Sequence, residues 1–134
     1  MIFVDTGAWF AALVPNDADH EAADAWLELN TGPLVTTDYI VDGLLTLLRV
    51  RGEYDRALDV GPSLLRGEIA RLEWVRQEDV EKAWEVFAQY QDKAWSFTDC
   101  VSRVIIERLG IETAFAFDEH FRQFGLVTVV PLRT

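Results

Sequence analysis

Short apolar runs and longer amphipathic segments alternate along the chain, and this alternation predicts its secondary structure. A run of consecutive hydrophobic residues favours a strand buried on both faces, whereas hydrophobic residues spaced three and four apart favour an amphipathic helix. The first pattern predicts strands over residues 1–5, 33–37, 70–75, 112–117 and 126–130. The second predicts helices over residues 6–14, 20–30, 38–50, 53–67, 78–91, 96–110 and 118–124, and Gly61-Pro62 offers a break in the fourth of them.

Strands that alternate with helices predict an α/β fold, in which a parallel sheet is covered by helices on both faces. The helix over residues 78–91 is the most clearly amphipathic of them. Its residues Val80, Ala83, Trp84 and Phe87 recur on one face, so we expect that face to pack inward.

The composition fits one globular domain over residues 1–134, because half of the residues are hydrophobic and five are tryptophan. Cys100 is the single cysteine, which excludes an internal disulfide and is typical of a cytoplasmic protein. The N-terminus lacks a basic region and its apolar run is too short to span a bilayer, so we expect no signal peptide and no membrane anchor. The net charge of −11 disfavours electrostatic attraction to nucleic acids.

Three aspartates stand where a ligand site is expected in such a fold. Ligands of open parallel sheets bind beyond the carboxyl ends of the strands. Asp5 ends the first predicted strand, Asp118 ends the fourth, and Asp99 lies in the first turn of a predicted helix. Three carboxylates that converge would repel one another unless a divalent cation joined them, and oxygen ligands favour Mg²⁺ or Mn²⁺. Such a metal ion activates water and stabilises charge at phosphorus.

Each of these acids also has a purely structural interpretation. Asp5 and Asp118 could cap the helices that follow them. Ser96 and Asp99 are spaced as in a capping box, in which two side chains satisfy the first N–H groups of a helix. One acid alone is therefore weak evidence, and the argument depends on the three together.

Four segments of this chain resemble the PIN-domain family in its VapC-like toxin branch. They read "MIFVDTGAWFA", "LVTTDYIVD", "DKAWSFTDC" and "AFAFDEHFRQFGL", and their order matches that of the family from end to end. The resemblance implies a three-layer α/β/α sandwich with a mainly parallel sheet. It also implies a homodimeric, metal-dependent endoribonuclease that is held inactive by a VapB-like antitoxin.

The resemblance further assigns roles to individual residues. Asp5, Asp99 and Asp118 match the metal-coordinating aspartates of the family, with Mg²⁺ or Mn²⁺ as the cofactor. Thr6 and Ser96 match positions where small hydroxyl side chains support the site.

Gly43 departs from the family pattern, because similar sequences carry a glutamate there as a further acid. Helical periodicity places position 43 on the inner face of its helix, three residues after Ile40 and four before Leu47, and turns Asp42 away from that face. Three hypotheses remain open at this point. Asp42 takes over the missing role as a metal ligand, the protein keeps a weakened three-acid site, or it is largely inactive.

Several other residues have a possible functional role, but a structural role is the better expectation for each. Arg49, Arg51 and Arg103 could contact phosphate, but solvated surface arginines are the simpler interpretation. The same holds for His20 and His120, for which we favour structural roles.

Trp95 precedes the "SFTDC" segment and could stack on a base, although core packing is the better expectation.

Two alternative functions belong to other classes. The chain could be a catalytically inactive PIN-like module that binds an antitoxin or dimerises, since Gly43 removes an acid. It could also be an aspartic protease, because "DTG" at residues 5–7 is a signature of those enzymes. The protease alternative requires two such loops and a β-rich structure, whereas this sequence predicts mostly helix.

Overall fold

The computed structural model describes residues 1–133, within which the chain forms five strands and seven helices. The strands are β1 (Ile2–Val4), β2 (Leu34–Thr37), β3 (Arg71–Glu73), β4 (Thr113–Phe115) and β5 (Thr128–Val130). The helices are α1 (Thr6–Leu13), α2 (His20–Leu29), α3 (Asp38–Val50), α4 (Tyr54–Leu65), α5 (Gln77–Gln89), α6 (Phe97–Leu109) and α7 (His120–Phe124). The predicted α/β order is confirmed throughout.

The five strands form one parallel sheet in the order β3-β2-β1-β4-β5. The chain builds outward from β1 on one side through β2 and β3, then returns to add β4 and β5 on the other side. In the register, Phe3 lies between Val35 of β2 and Ala114 of β4. The direction of strand addition therefore reverses between β1 and β4, and a crevice at such a switch point is where ligands of these sheets bind.

The sheet is the middle layer of an α/β/α sandwich, and its central strands are completely buried. Phe3, Val4, Val35 and Ala114 have no exposed surface, and Phe115 has 1%. Their side chains alternate between the two faces of the sheet, so an apolar residue at every position is possible only when helices cover both faces.

The helices α3 and α4 follow β2 and pack on each other. The helix α3 begins where the sequence predicts, because the Thr37 hydroxyl caps it by accepting a hydrogen bond from the Ile40 N–H over 3.1 Å. The helix α4 continues through Pro62 without a break, so the interruption considered at Gly61-Pro62 does not occur.

The inward face predicted for the helix over residues 78–91 is partly wrong. In α5 only Asp79 and Ala83 are buried, whereas Trp84 is 61% and Phe87 44% exposed. The reason is that α5 packs on α6 through a narrow stripe of its surface. Asp79 lies in this stripe and pairs with Arg108 of α6. The apolar face of α5 is therefore wider than the face that α6 buries.

Among residues 1–133, no helix is both long enough and apolar enough to cross a membrane.

Candidate active site

Asp5 directly follows β1, and its backbone is fixed in the sheet by the hydrogen bond from its N–H to the Phe115 carbonyl over 3.0 Å. It occupies the position that precedes α1, yet its side chain makes no capping hydrogen bond. The structural interpretation of Asp5 as a helix cap therefore fails. The side chain is 94% buried at the switch point and is free to take part in a site.

Asp99 reaches the same region from α6, where the predicted capping box is present. The Ser96 hydroxyl accepts from the Asp99 N–H over 3.0 Å, and the Asp99 carboxylate Oδ2 accepts from the Ser96 N–H over 2.9 Å. This reciprocal pair holds the Asp99 side chain in one orientation. Because a carboxylate has several acceptor positions, capping leaves room for a further partner.

Asp118 lies beyond the end of β4 and sets the start of α7. Its Oδ1 accepts from the His120 N–H over 3.0 Å, and its side chain is 45% exposed. Of the three acids it is the one most open to solvent.

His120 joins the acids, contrary to the structural role favoured from the sequence. Its Nδ1 lies 2.7 Å from Asp99 Oδ2 and 4.0 Å from Asp118 Oδ2. An ionised carboxylate can only accept, so Nδ1 carries a proton and donates it to Asp99. His120 therefore orients Asp99, while its Nε2 stays available for another contact.

The three carboxylates meet at this edge of the sheet. One ligand atom each from Asp99, Asp118 and His120 lies within 4.8 Å of the others. Asp5 lies against Asp118. Burial, together with the charges of Asp118 and Asp99, raises the pKa of Asp5 to about 8. The cluster therefore holds more negative charge than its protein surroundings compensate.

This arrangement fits a divalent cation. The salt bridges that Asp99 and Asp118 form within residues 1–133 are with His120, and no arginine or lysine of this part of the chain reaches them. A buried carboxylate whose ionisation is opposed by neighbouring acids is stabilised when a cation lies between them. The oxygen donors are those that Mg²⁺ and Mn²⁺ prefer.

Position 43 faces this site, as its helical periodicity predicts. A Cβ atom built on Gly43 would lie 3.4 Å from Thr6 Oγ1, an ordinary contact distance, so a side chain at this position would point toward the residue beside Asp5. Asp42 is exposed and lies about 100° around α3 from position 43. It does not join the cluster, so the hypothesis that Asp42 replaces the missing acid has no structural support.

Thr6 and Ser96, the two supporting hydroxyl residues, have different surroundings. Ser96 caps α6 and so orients Asp99, whereas Thr6 begins α1 and faces the space beside Gly43.

A cleft of about 330 Å³ borders the acids on the α1 side and is lined by Asp118. Arg51 also lines it and lies with its guanidinium 5.9 Å from the centre of the Phe10 ring. Of Arg49, Arg51 and Arg103, it is therefore Arg51 that lines the same cleft as Asp118. Arg103 pairs instead with Glu107 over 3.0 Å, and Arg49 lies over the Tyr54 ring.

The remaining residues singled out from the sequence are structural. Trp95 is 6% exposed and its indole N–H donates to Gln123 over 2.9 Å, so the expectation of core packing is confirmed. Cys100 is fully buried, and burial raises the pKa of its thiol. The His20 ring contacts the Ala11 carbonyl over 2.7 Å.

His120 is the site residue that sequence reasoning missed. A signal was present, because His120 follows Asp118 by two residues at the start of a helix. That spacing alone does not reveal that the ring turns back toward Asp99, which is 21 residues earlier in the chain.

Comparisons with known proteins agree with this architecture. The model of the PIN domain matches residues 2–126. The chain is 31% identical over 131 residues to the 23S rRNA-specific endonuclease VapC20 of Mycobacterium tuberculosis, which covers 98% of this chain and 99% of that protein.

Solved structures show the same likeness. The crystal structure of VapC20 from the same organism, described as a Sarcin-Ricin loop cleaving toxin, superposes with a TM-score of 0.89 at 28% identity, over 95% of this chain and 97% of that one. FitAcB from Neisseria gonorrhoeae shares the fold, with a TM-score of 0.69 at 16% identity and 96% of each chain covered. This chain therefore belongs to the PIN-domain family, in its VapC-like branch.

Proposed function

We propose that this protein is a metal-dependent endoribonuclease and the toxin of a VapBC-like toxin–antitoxin pair. The observation that carries the proposal is the cluster of Asp99, Asp118 and His120 at the switch point of the sheet, next to which Asp5 is buried with its pKa raised to about 8. Relatives over nearly the full length of the chain are named as endonucleases that act on RNA, which supports the same substrate class here.

Asp5, Asp99 and Asp118 would hold Mg²⁺ or Mn²⁺ in this proposal. When bound, the metal ion supplies a water nucleophile at neutral pH and stabilises the negative charge that develops on the phosphate. The protein residues orient this centre. The Ser96 N–H, over 2.9 Å, and His120 Nδ1, over 2.7 Å, both bond to Oδ2 of Asp99 and so hold its carboxylate in one orientation. The half-exposed Asp118 leaves the centre open on the side from which RNA would approach.

The partners in this proposal are an RNA substrate, a second copy of the chain and an antitoxin with a basic segment. The acidic cluster and the net charge of −11 suit such a segment, because a cationic side chain could compensate the same carboxylates that hold the metal ion. The single buried cysteine agrees with action in the cytoplasm.

A cleavage assay tests the enzyme. Purified protein is incubated with RNA in Mn²⁺, in Mg²⁺ and in chelator, beside the variant Asp99→Asn, which keeps an acceptor for the Ser96 N–H but loses the charge. Cleavage that requires metal and disappears in Asp99→Asn is the expected result. Cleavage that persists in chelator would contradict the proposal.

The second candidate function is a catalytically inactive PIN-like module that binds an antitoxin or dimerises. Gly43 favours it, because the position that faces Thr6 beside Asp5 carries no side chain. Gly43→Glu separates the candidates, and Gly43→Gln is the matched neutral control. An inactive wild type that gains cleavage in Gly43→Glu alone would identify the inactive module. A wild type that cleaves as well as Gly43→Glu would identify a three-acid enzyme.

A further inference from the structure

Two adjoining clefts lie next to the candidate active site. The first, of about 330 Å³, is the cleft lined by Asp118 and Arg51. The second, of about 450 Å³, is lined by Arg122. Phe117 and Asp19 line both clefts, so the two share a wall. We call the joined clefts the Phe117 groove, and it reaches the acid cluster at Asp118.

Arg122 in the second cleft has no partner inside the protein. It lies in α7, four residues after Asp118. Its Nη1 is buried and has no hydrogen-bond acceptor within residues 1–133. Arg133 lines the same cleft but pairs with Glu119, so its charge is compensated. A buried donor without an acceptor is destabilising, and a charged one more so. An acceptor from outside the chain would remove this cost for Arg122.

Arg51 in the first cleft is also uncompensated, because it takes part in none of the ion pairs within residues 1–133. Its guanidinium lies 5.9 Å from the centre of the Phe10 ring, and Phe10 is itself only 7% exposed. A fixed aromatic ring attracts a cation to its face and so limits the positions that the cation takes. Arg51 therefore presents a positioned positive charge in the cleft that Asp118 also lines.

The rest of the groove is acidic. Asp17 and Asp19 line the first cleft together with Asp118, and Asp17 accepts the Asp19 N–H over 3.0 Å. A protein with a net charge of −11 gives a polyanion no general attraction. A phosphate is therefore held in this groove only where a cation faces it. The two uncompensated arginines mark those places.

We propose that Arg51 and Arg122 bind RNA phosphates next to the phosphate that is cleaved, so that the RNA backbone follows the Phe117 groove past Asp118. The proposal rests on the proposed nuclease function and adds two substrate-binding residues to it. A guanidinium binds phosphate through two parallel N–H donors, and such a contact fixes the register of the strand without reading its bases. Two of them in adjoining clefts require a ligand with successive phosphates.

Binding measurements in chelator test these contacts without cleavage. The probe is a fluorescent octauridylate, titrated at several salt concentrations. Arg51→Gln and Arg122→Gln should each weaken binding about tenfold, because one charge-assisted hydrogen-bonded contact is lost. Each should also make the fall of log affinity with log salt concentration shallower, by about 0.7 in slope. An affinity that is unchanged in both variants, or a wild-type affinity that does not fall with salt, would overturn the proposal.

Two other arginines are matched controls. Arg49→Gln removes the same charge two residues from Arg51, but Arg49 is exposed over the Tyr54 ring, outside the groove. Arg103→Gln matches Arg122→Gln, because Arg103 is also half-buried and its Nε also lacks an acceptor within residues 1–133. Both controls should stay within about threefold of the wild type. A loss in a control as large as in its partner variant would show a general charge effect and overturn the proposal.

Lysine variants separate a lost contact from a folding defect. Arg51→Lys and Arg122→Lys keep the charge but lose the planar pair of donors. Each should regain the salt slope of the wild type and part of its affinity, with the thermal unfolding midpoint as the control for folding. Lysine variants that fold normally and keep the shallow slope of the glutamine variants would contradict a phosphate contact.

The length of the ligand provides a second test. Two arginines that bind successive phosphates favour an oligonucleotide strongly over uridine monophosphate, which offers one phosphate. Uridine monophosphate that displaces the octauridylate probe as effectively as unlabelled octauridylate does would identify a mononucleotide pocket and overturn the proposal.

Failure of the arginine contacts is distinguishable from failure of the nuclease. Metal-dependent cleavage by the wild type, together with RNA binding that is independent of Arg51 and Arg122, would overturn the contacts alone. Absence of cleavage in both wild type and Gly43→Glu would overturn the proposed enzyme, while RNA binding that depends on the two arginines would still be measurable in chelator.

Discussion

Asp79 and Asp99 occupy the same position in the first turns of two neighbouring helices, α5 and α6. The side chains around them differ, because Asp79 faces an arginine and Asp99 faces a histidine and further acids. Each is the third residue of its helix, each is buried, with 2% and 7% exposure, and each accepts the N–H of the residue three positions earlier over 2.9 Å. Asp79 then meets Arg108, which donates to both of its oxygens over 2.9 Å. Asp99 meets His120 and two further acids.

The difference shows that local capping does not decide the role of a buried acid. Burial by itself would raise the pKa of Asp79, but the Arg108 guanidinium and the Arg76 N–H hold it below its usual range. Next to Asp99 the carboxyl of Asp5 has its pKa raised to about 8. Asp79 is compensated within the protein and serves stability, whereas Asp99 belongs to a cluster whose ligand atoms lie close enough together to hold a metal ion.

The largest expected effect comes from exchanging each acid for its neutral isostere. Asp99→Asn should lower metal-dependent RNA cleavage at least about a hundredfold, because the centre loses one of its three charges. Asp79→Asn, the matched change on α5, should leave cleavage per folded molecule within about threefold, since Arg108 lies outside the cluster. Initial cleavage rates measure both, with circular dichroism as the control for folding. An equal loss of cleavage rate in Asp99→Asn and Asp79→Asn would show that the two acids do not differ in function.

Arg108→Met removes the ion pair between Arg108 and Asp79 of α5. It leaves the buried charge of Asp79 unpaired, and we expect the free energy of unfolding to fall by about 3 kcal/mol. Urea denaturation followed by circular dichroism measures the loss. The double variant Asp79→Asn with Arg108→Met removes the unpaired charge and should recover part of it. A double variant that is less stable than Arg108→Met would contradict this account.

Asp5→Asn tests whether the charge of Asp5 is uncompensated in the acid cluster. The pKa of Asp5 is raised in the folded protein, so its contribution to stability is fully present below pH 4 and is lost as the pH rises toward 8. In chelator, Asp5→Asn should therefore stabilise the protein by a few kcal/mol at pH 8 and leave it unchanged near pH 3.5.

Thermal unfolding across this pH range measures the effect of Asp5→Asn. Mn²⁺ should stabilise the wild type at pH 8 and the variant much less, because the variant lacks one ligand charge. A variant that is destabilised at pH 8 in chelator would show that Asp5 is compensated within the protein after all.

The smallest expected effect concerns the orientation of Asp99. His120→Gln removes the ring that donates to Asp99 Oδ2, and a residue that positions a ligand in this way is worth about tenfold in metal affinity. Titration with Mn²⁺, followed by the thermal unfolding midpoint, measures the loss. His20→Gln is the control, since His20 contacts the Ala11 carbonyl away from the acids.

Much of the fold was predictable because local and global signals agree along this chain. The helix α3 spans Asp38–Val50 as predicted, since Thr37 caps it and most of its apolar positions face inward, with four of them buried. The five strands follow their apolar runs. The prediction failed for α5, because an apolar stripe at helical spacing does not reveal whether another element covers it, and Trp84 stays 61% exposed.

The candidate site was predictable for its acids and not for its geometry. Asp5 and Asp118 directly follow predicted strands, which places them at the carboxyl edge of the sheet. The spacing of Ser96 and Asp99 predicts the start of a helix. The ring of His120 turns toward Asp99 only because α6 and α7 pack side by side, which no local pattern encodes. The pairing of Asp79 with Arg108, 29 residues apart, was invisible for the same reason.

The sequence by itself determined the order of strands and helices, the parallel sheet and the acids at its carboxyl edge, because these follow from periodicity and from residue types that act locally. The tertiary structure alone decided which buried acid is compensated by an arginine and which stays in an uncompensated cluster. It also decided which aromatic rings remain exposed. Burial and charge compensation depend on neighbours that are distant in the chain, and packing brings those neighbours together.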